Sequence, residues 1–159
     1  MSRSLLVTGA AGFIGANFVH YWSAAHPRDR IVAYDALTYA GNLASLNSLR
    51  NSPLLTFVHA NICDYDRVLQ VMQDHAVDTV VHFAAESHVD RSITGPEAFI
   101  RTNVHGTFVL LEAARKHWMQ SDGGCRFLHV STDEVYGSLK AEDPAFSETT
   151  AFAPNSPYS

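Results

Sequence analysis

Two adjacent carboxylates, Asp133 and Glu134, lie in the segment STDEVYG, which spans residues 131–137. When their surroundings differ, one carboxyl of such a pair stays protonated as an acid while the other is ionised as a base. Burial of the pair can produce this difference, and an elimination reaction needs such an acid and such a base. The alternative is structural, because carboxylates at this point can also cap a following turn. The residues alone leave both interpretations open.

Three glycines, Gly9, Gly12 and Gly15, follow a short apolar run and precede a helical pattern. Glycine permits a tight turn and close approach to a pyrophosphate, and a helix N-terminus offers free N–H groups and a favourable dipole. Asp35 ends the second predicted strand, where its carboxylate can accept both hydroxyls of an adenosine ribose and would repel a 2'-phosphate. The sequence therefore predicts a dinucleotide site that prefers NAD to NADP. A glycine turn that only packs helix on strand is the alternative.

Asn61-Ile62 and Phe83-Ala84-Ala85 each follow a further predicted strand, at the end where open α/β sheets bind ligands. We expect Asn61 and Ile62 to contact adenine and the small residues to leave room for the cofactor. An ordinary loop is the alternative at residues 61–62, since neither residue type is diagnostic. The next segment, AESHVDRS (residues 85–92), places many polar side chains at the mouth of the sheet.

Five short apolar runs alternate with longer segments of helical spacing, which is typical of βαβ units around a parallel sheet. The expected fold is α/β, a Rossmann-like doubly wound parallel sheet that makes one dinucleotide-binding domain of residues 1–159. The predicted strands are 5–8, 31–34, 56–59, 79–83 and 127–130.

Three helices are predicted between these strands. The first begins at the glycine turn and ends before Pro27, and its expected apolar face is Ile14, Phe18, Tyr21, Trp22 and Ala25. Asp64 is expected to cap the second helix, whose expected apolar face is Val68, Val71 and Met72, with His75 as a further candidate.

The third and longest helix follows Gly95-Pro96 and runs to about Trp118. One stripe consists of Ile100, Val104, Phe108 and Leu111, whereas Phe99 and Leu110 lie off it. A helix that is apolar on more than one side is either deeply buried or contacts a partner. We therefore predict that this helix forms a homodimer surface.

Composition excludes several classes of function. Eleven basic and sixteen acidic residues give a net charge of -5 without a Lys/Arg stripe, so nucleic acid is not an expected partner. The two cysteines and nine histidines show no metal-ligand spacing, and a reducing cytoplasm is the expected compartment. The apolar run near the N-terminus is too short to cross a bilayer, so neither a signal peptide nor a membrane anchor is expected.

The chain resembles the extended short-chain dehydrogenase/reductases over its whole length, and within them the dTDP-glucose 4,6-dehydratases. STDEVYG is the most discriminating motif, because similar epimerases and decarboxylases usually lack the Asp-Glu pair there. The resemblance implies a full chain about twice this length, of which these residues are the N-terminal portion. It rests on TGAAGFIG (8–15), YDALTYAGN (34–42), FAAESHVDRS (83–92), TNVHGT (102–107) and STDEVYG.

The resemblance implies a lyase reaction, the NAD-dependent dehydration of dTDP-glucose to dTDP-4-dehydro-6-deoxy-glucose. Tyr158 would remove the 4-hydroxyl proton while hydride leaves C4 for NAD, Glu134 would act as base at C5, and Asp133 would protonate the departing 6-hydroxyl. Thr132 would hold the 4-hydroxyl, and Ser87 would lie near the sugar. The implied cofactor contacts are Gly9, Gly12, Phe13, Ile14, Gly15, Asp35, Ala36, Leu37, Thr38, Asn61, Ile62, Phe83, Ala84, Ala85, Ser87 and Thr102.

The chain departs from the family pattern at three places. The family commonly has lysine at the position of Ala36 and aspartate at the position of Asn61, which predicts weaker contacts to adenosine. The lysine that activates the tyrosine would be number 162, beyond the 159 residues. Without that lysine and the substrate domain, we expect the 159-residue polypeptide to bind NAD but not to turn over dTDP-glucose.

Two alternatives to the dehydratase interpretation stay open. One is a related epimerase, reductase or decarboxylase that acts on another sugar nucleotide. The other is a non-catalytic NAD-binding module that regulates a partner. The presence of Asp133, Glu134 and Tyr158 counts against the second alternative, because a protein that only binds has no use for these three side chains.

Overall fold

A single parallel sheet forms the centre of the molecule, with the strand order β3-β2-β1-β4-β5. The structure is a computed structural model that describes residues 2–119, 121 and 123–159. The predicted α/β fold is confirmed, and every strand boundary lies within one residue of its predicted position. The strands are β1 (Ser4–Thr8), β2 (Arg30–Asp35), β3 (Leu55–His59), β4 (Thr79–His82) and β5 (Arg126–His129).

Helices cover both faces of the sheet. Side chains alternate between the two faces along each strand, so neighbouring residues of one strand pack in different core clusters. Leu6 belongs to a core cluster with Met72 and Leu110 from helices on one side. Its neighbour Leu5 belongs to a second cluster on the other side, with Val19. All residues of β1 and β4 are buried, as expected for strands covered on both faces.

The helices are α1 (Phe13–Ala25), α2 (Tyr65–Asp74), α3 (Val89–Thr94), α4 (Pro96–Phe99) and α5 (Thr107–Trp118). Asp64 caps α2 as predicted, since its side chain accepts a hydrogen bond from the Arg67 N–H. The predicted face of α2 is also confirmed, because Val68, Val71 and Met72 are buried. The sequence did not predict α3 or the 3-10 helices Leu43–Leu49 and Asp133–Tyr136.

The predicted apolar face of α1 is wrong in part. Ile14 and Tyr21 are 61% and 66% exposed, and the buried positions are instead Gly15, Ala16 and Val19. Ala25 is exposed as well, while Phe18 and Trp22 are partly buried. The first turn of α1 packs so closely on the glycine turn that only small residues fit there. Burial therefore shifts away from the larger side chains that the helical spacing favoured.

The predicted long helix after Gly95 is interrupted between α4 and α5. Residues Ile100–Gly106 form a π-helix, in which each N–H bonds to the carbonyl five residues earlier. Two of its carbonyls accept side-chain hydrogen bonds instead: that of Asn103 from the Thr107 hydroxyl at 2.7 Å, and that of Arg101 from the Cys63 thiol at 3.3 Å. Such single-turn insertions are frequent at functional sites.

The two apolar sides of the segment from Pro96 to Trp118 differ in burial. Phe99 and Leu110 are buried in the core. The side chains of the predicted stripe, in contrast, are 47–59% exposed and form a continuous apolar surface of Ile100, Val104, Phe108 and Leu111. Across the described residues, no helix combines the length and the apolarity that a membrane span needs.

Candidate active site

The turn after β1 requires glycine at two positions. Gly9 has a φ of +66°, and a Cβ on it would lie 2.7 Å from the backbone nitrogen of Ala84. A Cβ on Gly15 would overlap the carbonyl oxygen of Gly9. The Gly12 N–H donates to that same carbonyl at 3.1 Å, which closes the turn. The helix therefore begins directly against the carboxyl ends of β1 and β4.

The N-terminus of α1 is open to a ligand. Its cap residue, Gly12, has no side chain to accept the first helical N–H groups, and the first turn holds no acidic residue. The N–H groups of Phe13, Ile14 and Gly15 have no acceptor within the helix. Free N–H groups together with the positive end of the helix dipole make this terminus suited to an anion such as a pyrophosphate.

Asp35, the last residue of β2, is buried and held by two backbone amides. One carboxylate oxygen accepts from Ala11 N–H at 2.9 Å and the other accepts from Leu37 N–H at 2.7 Å. Leu37 has a φ of +50°, and Gly41 passes so close that a Cβ there would lie 2.8 Å from the carboxylate. Each oxygen keeps further acceptor capacity, so the carboxylate is oriented and can still accept two hydroxyl groups.

Next to Asp35, the end of β3 supplies Asn61 and Ile62. The Tyr34 hydroxyl donates to the Asn61 carbonyl at 3.0 Å, and burial raises the pKa of Tyr34 to about 12, which keeps it a donor. The Asn61 side-chain oxygen accepts from Cys63 N–H at 2.9 Å. Ile62 is buried against Gly106, where a Cβ would lie 2.6 Å from the Ile62 side chain. These contacts fix the wall of the cleft where adenine is expected.

A buried hydrogen-bond chain connects β1, β4 and α5 behind the cleft. Thr8 Oγ1 lies 2.7 Å from Nδ1 of His82, and Nε2 of His82 lies 2.9 Å from Thr107 Oγ1. Thr107 donates its own proton to the Asn103 carbonyl, so it must accept from Nε2–H. Nδ1 of His82 then accepts the Thr8 proton, while Thr8 accepts from Ala84 N–H at 3.3 Å. One neutral tautomer of His82 satisfies the whole chain.

Burial and, as the smaller cause, the nearby His129 together lower the pKa of His82 to about 4. The two imidazole rings stack with centroids 5.0 Å apart. His82 is therefore uncharged at neutral pH, as the tautomer requires.

Asn103 holds the loop that follows β4. Its side-chain nitrogen donates to the Glu86 carbonyl and its side-chain oxygen accepts from Glu86 N–H, both at 2.8 Å. A side chain thus pairs with the backbone in the manner of a neighbouring strand. Asn103 and Thr107 both belong to the segment TNVHGT, but the sequence indicated neither of these contacts and did not single out His82, because partners this far apart in the chain leave no local pattern.

One cleft along the carboxyl edge of the sheet brings most of the predicted site together. The predicted cofactor residues that line it are Gly9, Gly12, Phe13, Ile14, Gly15, Asp35, Ala36, Thr38, Asn61, Ile62, Phe83, Ala84, Ala85, Ser87 and Thr102. Leu37 does not line it and contributes its backbone N–H to Asp35 instead. The sequence missed the lining residues Tyr34, Ala40, Gly41, Ala60, Glu86, Val130 and Ser131.

Tyr158 lines the same cleft, although it is far from the glycine turn in sequence. The segment before it folds back over the 3-10 helix, since Ala153 N–H donates to the Val135 carbonyl at 3.0 Å. The Tyr158 ring meets the edge of the buried Phe99 ring at 6.3 Å. Ser156 accepts from Ser159 N–H at 3.1 Å, which forms a short turn around the tyrosine. The structure therefore brings Tyr158 to the cofactor cleft.

The carboxylate pair lies beside the cleft rather than in it. Ser131 lines the cleft, whereas Thr132, Asp133 and Glu134 do not. Thr132 caps the 3-10 helix, its hydroxyl accepting from Glu134 N–H at 3.3 Å. Asp133 is exposed and Glu134 is half-buried, so the expected buried pair is not found. The expected capping by the carboxylates is not found either, because the threonine caps this turn.

No group of three or more His, Cys, Asp or Glu side chains that could hold a metal ion occurs in the described part of the chain. Both cysteines, Cys63 and Cys125, are free thiols.

Comparison with known proteins agrees with this geometry. A family model described as GDP-mannose 4,6 dehydratase matches residues 6–159. The dTDP-glucose 4,6-dehydratase 1 of Escherichia coli (strain K12) is 51% identical over 167 residues, covering 98% of this chain and 46% of the relative. The dTDP-glucose 4,6-dehydratase of Xanthomonas campestris pv. campestris (strain B100) is 56% identical over 158 residues, covering 97% and 44%.

Solved structures give the same result. The dTDP-glucose 4,6-dehydratase from Bacillus anthracis str. Ames, in complex with NAD, superimposes with a TM-score of 0.86 and 40% identity. The match covers 99% of this chain and 46% of that one. The chain thus spans about half the length of the relatives it matches.

Proposed function

Because the chain belongs to the GDP-mannose 4,6 dehydratase family, we propose that it forms the cofactor-binding part of an NAD-dependent dTDP-glucose 4,6-dehydratase. The observation that carries the proposal is the single cleft shared by Gly12, Asp35 and Tyr158. A site suited to a dinucleotide and a phenol suited to proton transfer from a sugar hydroxyl thus lie side by side.

The residues fit NAD better than NADP. The carboxylate of Asp35 is fixed by two amides and is suited to the two ribose hydroxyls, and its charge opposes a 2'-phosphate. The N-terminus of α1 would hold the pyrophosphate, and Asn61 with Ile62 would contact adenine. With Ala36 and Asn61 at positions where related proteins carry charged residues, we expect modest adenosine contacts. When bound, NAD would accept hydride from C4 of the sugar and return it to C6.

Each proton transfer of the proposed reaction can be assigned to a residue of this protein. The ionised oxygen of Tyr158 would take the proton of the 4-hydroxyl, which Thr132 would hold. The resulting ketone at C4 acidifies the C5–H, and Glu134 would take that proton. Asp133 would protonate the departing 6-hydroxyl, so that water leaves, and Glu134 would give its proton back to C5 as C6 is reduced. Ser131, which precedes this pair in the chain, and Ser87 both line the cleft, and we expect Ser87 to lie near the sugar.

We further propose that the protein is a homodimer that buries the exposed apolar surface of Ile100, Val104, Phe108 and Leu111. A sugar nucleotide is the proposed substrate, and the net charge of -5 argues against nucleic acid. The free thiols of Cys63 and Cys125 suit the reducing conditions of the cytoplasm, which is the proposed location.

Calorimetric titration with NAD and NADP tests the cofactor site. We expect NAD to bind more than about tenfold more tightly than NADP, because the ionised Asp35 opposes the extra phosphate. Asp35→Asn should lose most of that preference. Glu142→Gln, which removes an exposed carboxylate elsewhere, is the matched control and should keep the preference. Equal affinity for both cofactors in the unsubstituted protein would contradict the NAD assignment.

Product analysis with dTDP-glucose tests the chemistry. A polypeptide of these 159 residues alone should bind NAD without turnover, and a protein that includes the residues after Ser159 should form the 6-deoxy-4-keto sugar. In that protein, Asp133→Asn with Glu134→Gln should abolish elimination and keep NAD binding. Loss of NAD binding would assign the pair a structural role, and a product that keeps its 6-hydroxyl would favour an epimerase or reductase.

A further inference from the structure

Tyr39 stands at the rim of the cleft, in the loop after β2. The loop makes a tight turn in which Gly41 N–H donates to the Thr38 carbonyl at 3.1 Å, and Tyr39 is at its tip. Asn42 N–H donates to the Ala11 carbonyl at 2.9 Å, which ties the loop to the glycine turn. Thr38 and Ala40 line the cleft, while the Tyr39 ring is 55% exposed. The ring is therefore held at the entrance by an ordered backbone.

Arg91 stands at the rim on the other side, in α3. That short helix follows the cleft-lining residues 84–87, which Asn103 holds through Glu86. Ser92 is fully buried, which packs the helix against the rest of the molecule, and its hydroxyl donates to the Val89 carbonyl of the same helix at 2.6 Å. Arg91 itself is exposed, and within the described residues it takes part in no ion pair.

The two side chains meet across the cleft. The guanidinium carbon of Arg91 lies 4.9 Å from the centre of the Tyr39 ring, within the range of a cation–π interaction. Their segments follow β2 and β4, which flank β1 on opposite sides. Neighbouring strands lie about 5 Å apart, so the two segments begin about 10 Å apart, on either side of the strand that leads into the glycine turn. A dinucleotide seated on that turn would lie inside this bridge.

We propose that Tyr39 and Arg91 form a clasp over the dinucleotide and slow its release. This inference rests on the proposed function, because it requires that NAD occupies the cleft. In a reaction that takes a hydride from the substrate and returns it to the same molecule, the cofactor ends each cycle in its starting form. Release between turnovers has no purpose there, and a contact that retains the cofactor keeps the site ready. The loop after β2 and helix α3 would then separate only to exchange the cofactor.

The dissociation rate of NADH tests the clasp. Protein loaded with NADH is mixed rapidly with excess NAD, and the fall in NADH fluorescence gives the rate. Tyr39→Ala and Arg91→Gln should each release NADH about two- to fivefold faster, as expected for loss of an exposed cation–π contact. Tyr39→Phe keeps the ring and is the matched control, with an unchanged rate. The double variant should be no faster than either single variant, because both remove the same contact.

The outcomes separate the clasp from the proposed function. If the unsubstituted protein does not bind NADH or NAD, the proposed function fails and the clasp fails with it. If NADH binds but Tyr39→Ala releases it at the unsubstituted rate, the clasp is overturned while the cofactor site stands. If the effects of the two single variants multiply in the double variant, Arg91 acts on the cofactor directly, and the pairing with Tyr39 is overturned. Both residues are exposed, so circular dichroism should show unchanged folding in every variant.

Discussion

His82 is a histidine that the fold keeps uncharged. Its two ring nitrogens serve opposite roles, one accepting from Thr8 and the other donating to Thr107. Protonation would turn the accepting nitrogen into a donor that faces another donor. The lowered pKa, which burial and the nearby His129 cause, keeps His82 in the neutral form that this hydrogen-bond chain requires.

This side chain predicts how stability depends on pH. The unfolded chain takes up a proton at His82 near pH 6.5, and the folded chain does so only near pH 4. Acidification from pH 6.5 to 4 therefore lowers the free energy of unfolding, by roughly 3 kcal/mol from this residue, and acidification below pH 4 lowers it no further through His82. Urea unfolding at pH 7 and pH 4.5 measures the loss.

His82→Gln keeps a donor for Thr107 and removes the titrating group. The free energy of unfolding of this variant should therefore fall between pH 7 and pH 4.5 by about 2 to 3 kcal/mol less than that of the unsubstituted protein. His129→Gln, at the exposed neighbouring ring, should retain most of the loss. An equal loss in His82→Gln and the unsubstituted protein would show that other groups carry the pH dependence.

Gly15 shows what close packing demands of one residue. Gly15→Ala would press its new methyl group against the Gly9 carbonyl, and we expect the free energy of unfolding to fall by about 2 kcal/mol or more. NAD affinity should fall as well, since the turn and α1 must move apart. Gly95→Ala is the control, because its nearest neighbour would be 3.7 Å away. Equal stability of the two variants, measured by thermal unfolding, would contradict the packing argument.

The segment from Pro96 to Trp118 serves the core, the cleft and the surface at once. Phe99 and Leu110 fill the core, Thr102 lines the cleft, and the apolar stripe faces solvent. A π-helical turn contains one residue more than a regular helical turn. The extra residue changes the direction of the side chains that follow it, so one continuous segment can face the core, the cleft and the surface.

The exposed stripe predicts which substitutions should break the proposed dimer. A charge at its centre, in Val104→Glu or Phe108→Glu, would be buried without a partner, so we expect each variant to be a monomer by light scattering after size exclusion. Ile93→Glu introduces the same charge at a position that is 65% exposed on α3, and it should remain a dimer. A dimer that survives both stripe substitutions would show that another surface is used.

At the scale of elements, the sequence predicts what depends on local pattern. All five strands and the cap at Asp64 follow from apolar runs and residue types that lie next to each other. The buried face of α1 does not follow from local pattern, because the contact between Gly15 and Gly9 determines which residues of α1 point inward. The spacing of apolar residues along the helix contains no information about that contact. The π-helix is likewise invisible in the spacing of apolar residues, since one inserted position shifts the stripe only slightly.

At the scale of the whole molecule, the site follows from sequence where it lies at the end of a strand. Gly12, Asp35 and Ala84 could be placed in the cleft because carboxyl ends of parallel strands share an edge. Tyr158 could be placed there only by family resemblance, because it reaches the cleft through an irregular segment. The contact between Tyr39 and Arg91 joins loops on opposite sides of β1, and nothing in either loop alone indicates the other.

The position of β1 at the middle of the sheet also determines when this protein can fold during its synthesis. β1 leaves the ribosome before the other four strands of the sheet, and it must lie between β2 and β4. The Thr8–His82 pair joins residues 74 positions apart. The central strand β1 therefore cannot complete its pairing until β4 has been synthesised. Loop closure over that length is slow compared with a hairpin. The glycine turn, although among the first segments made, therefore becomes a finished site only when more than half of these residues have been translated.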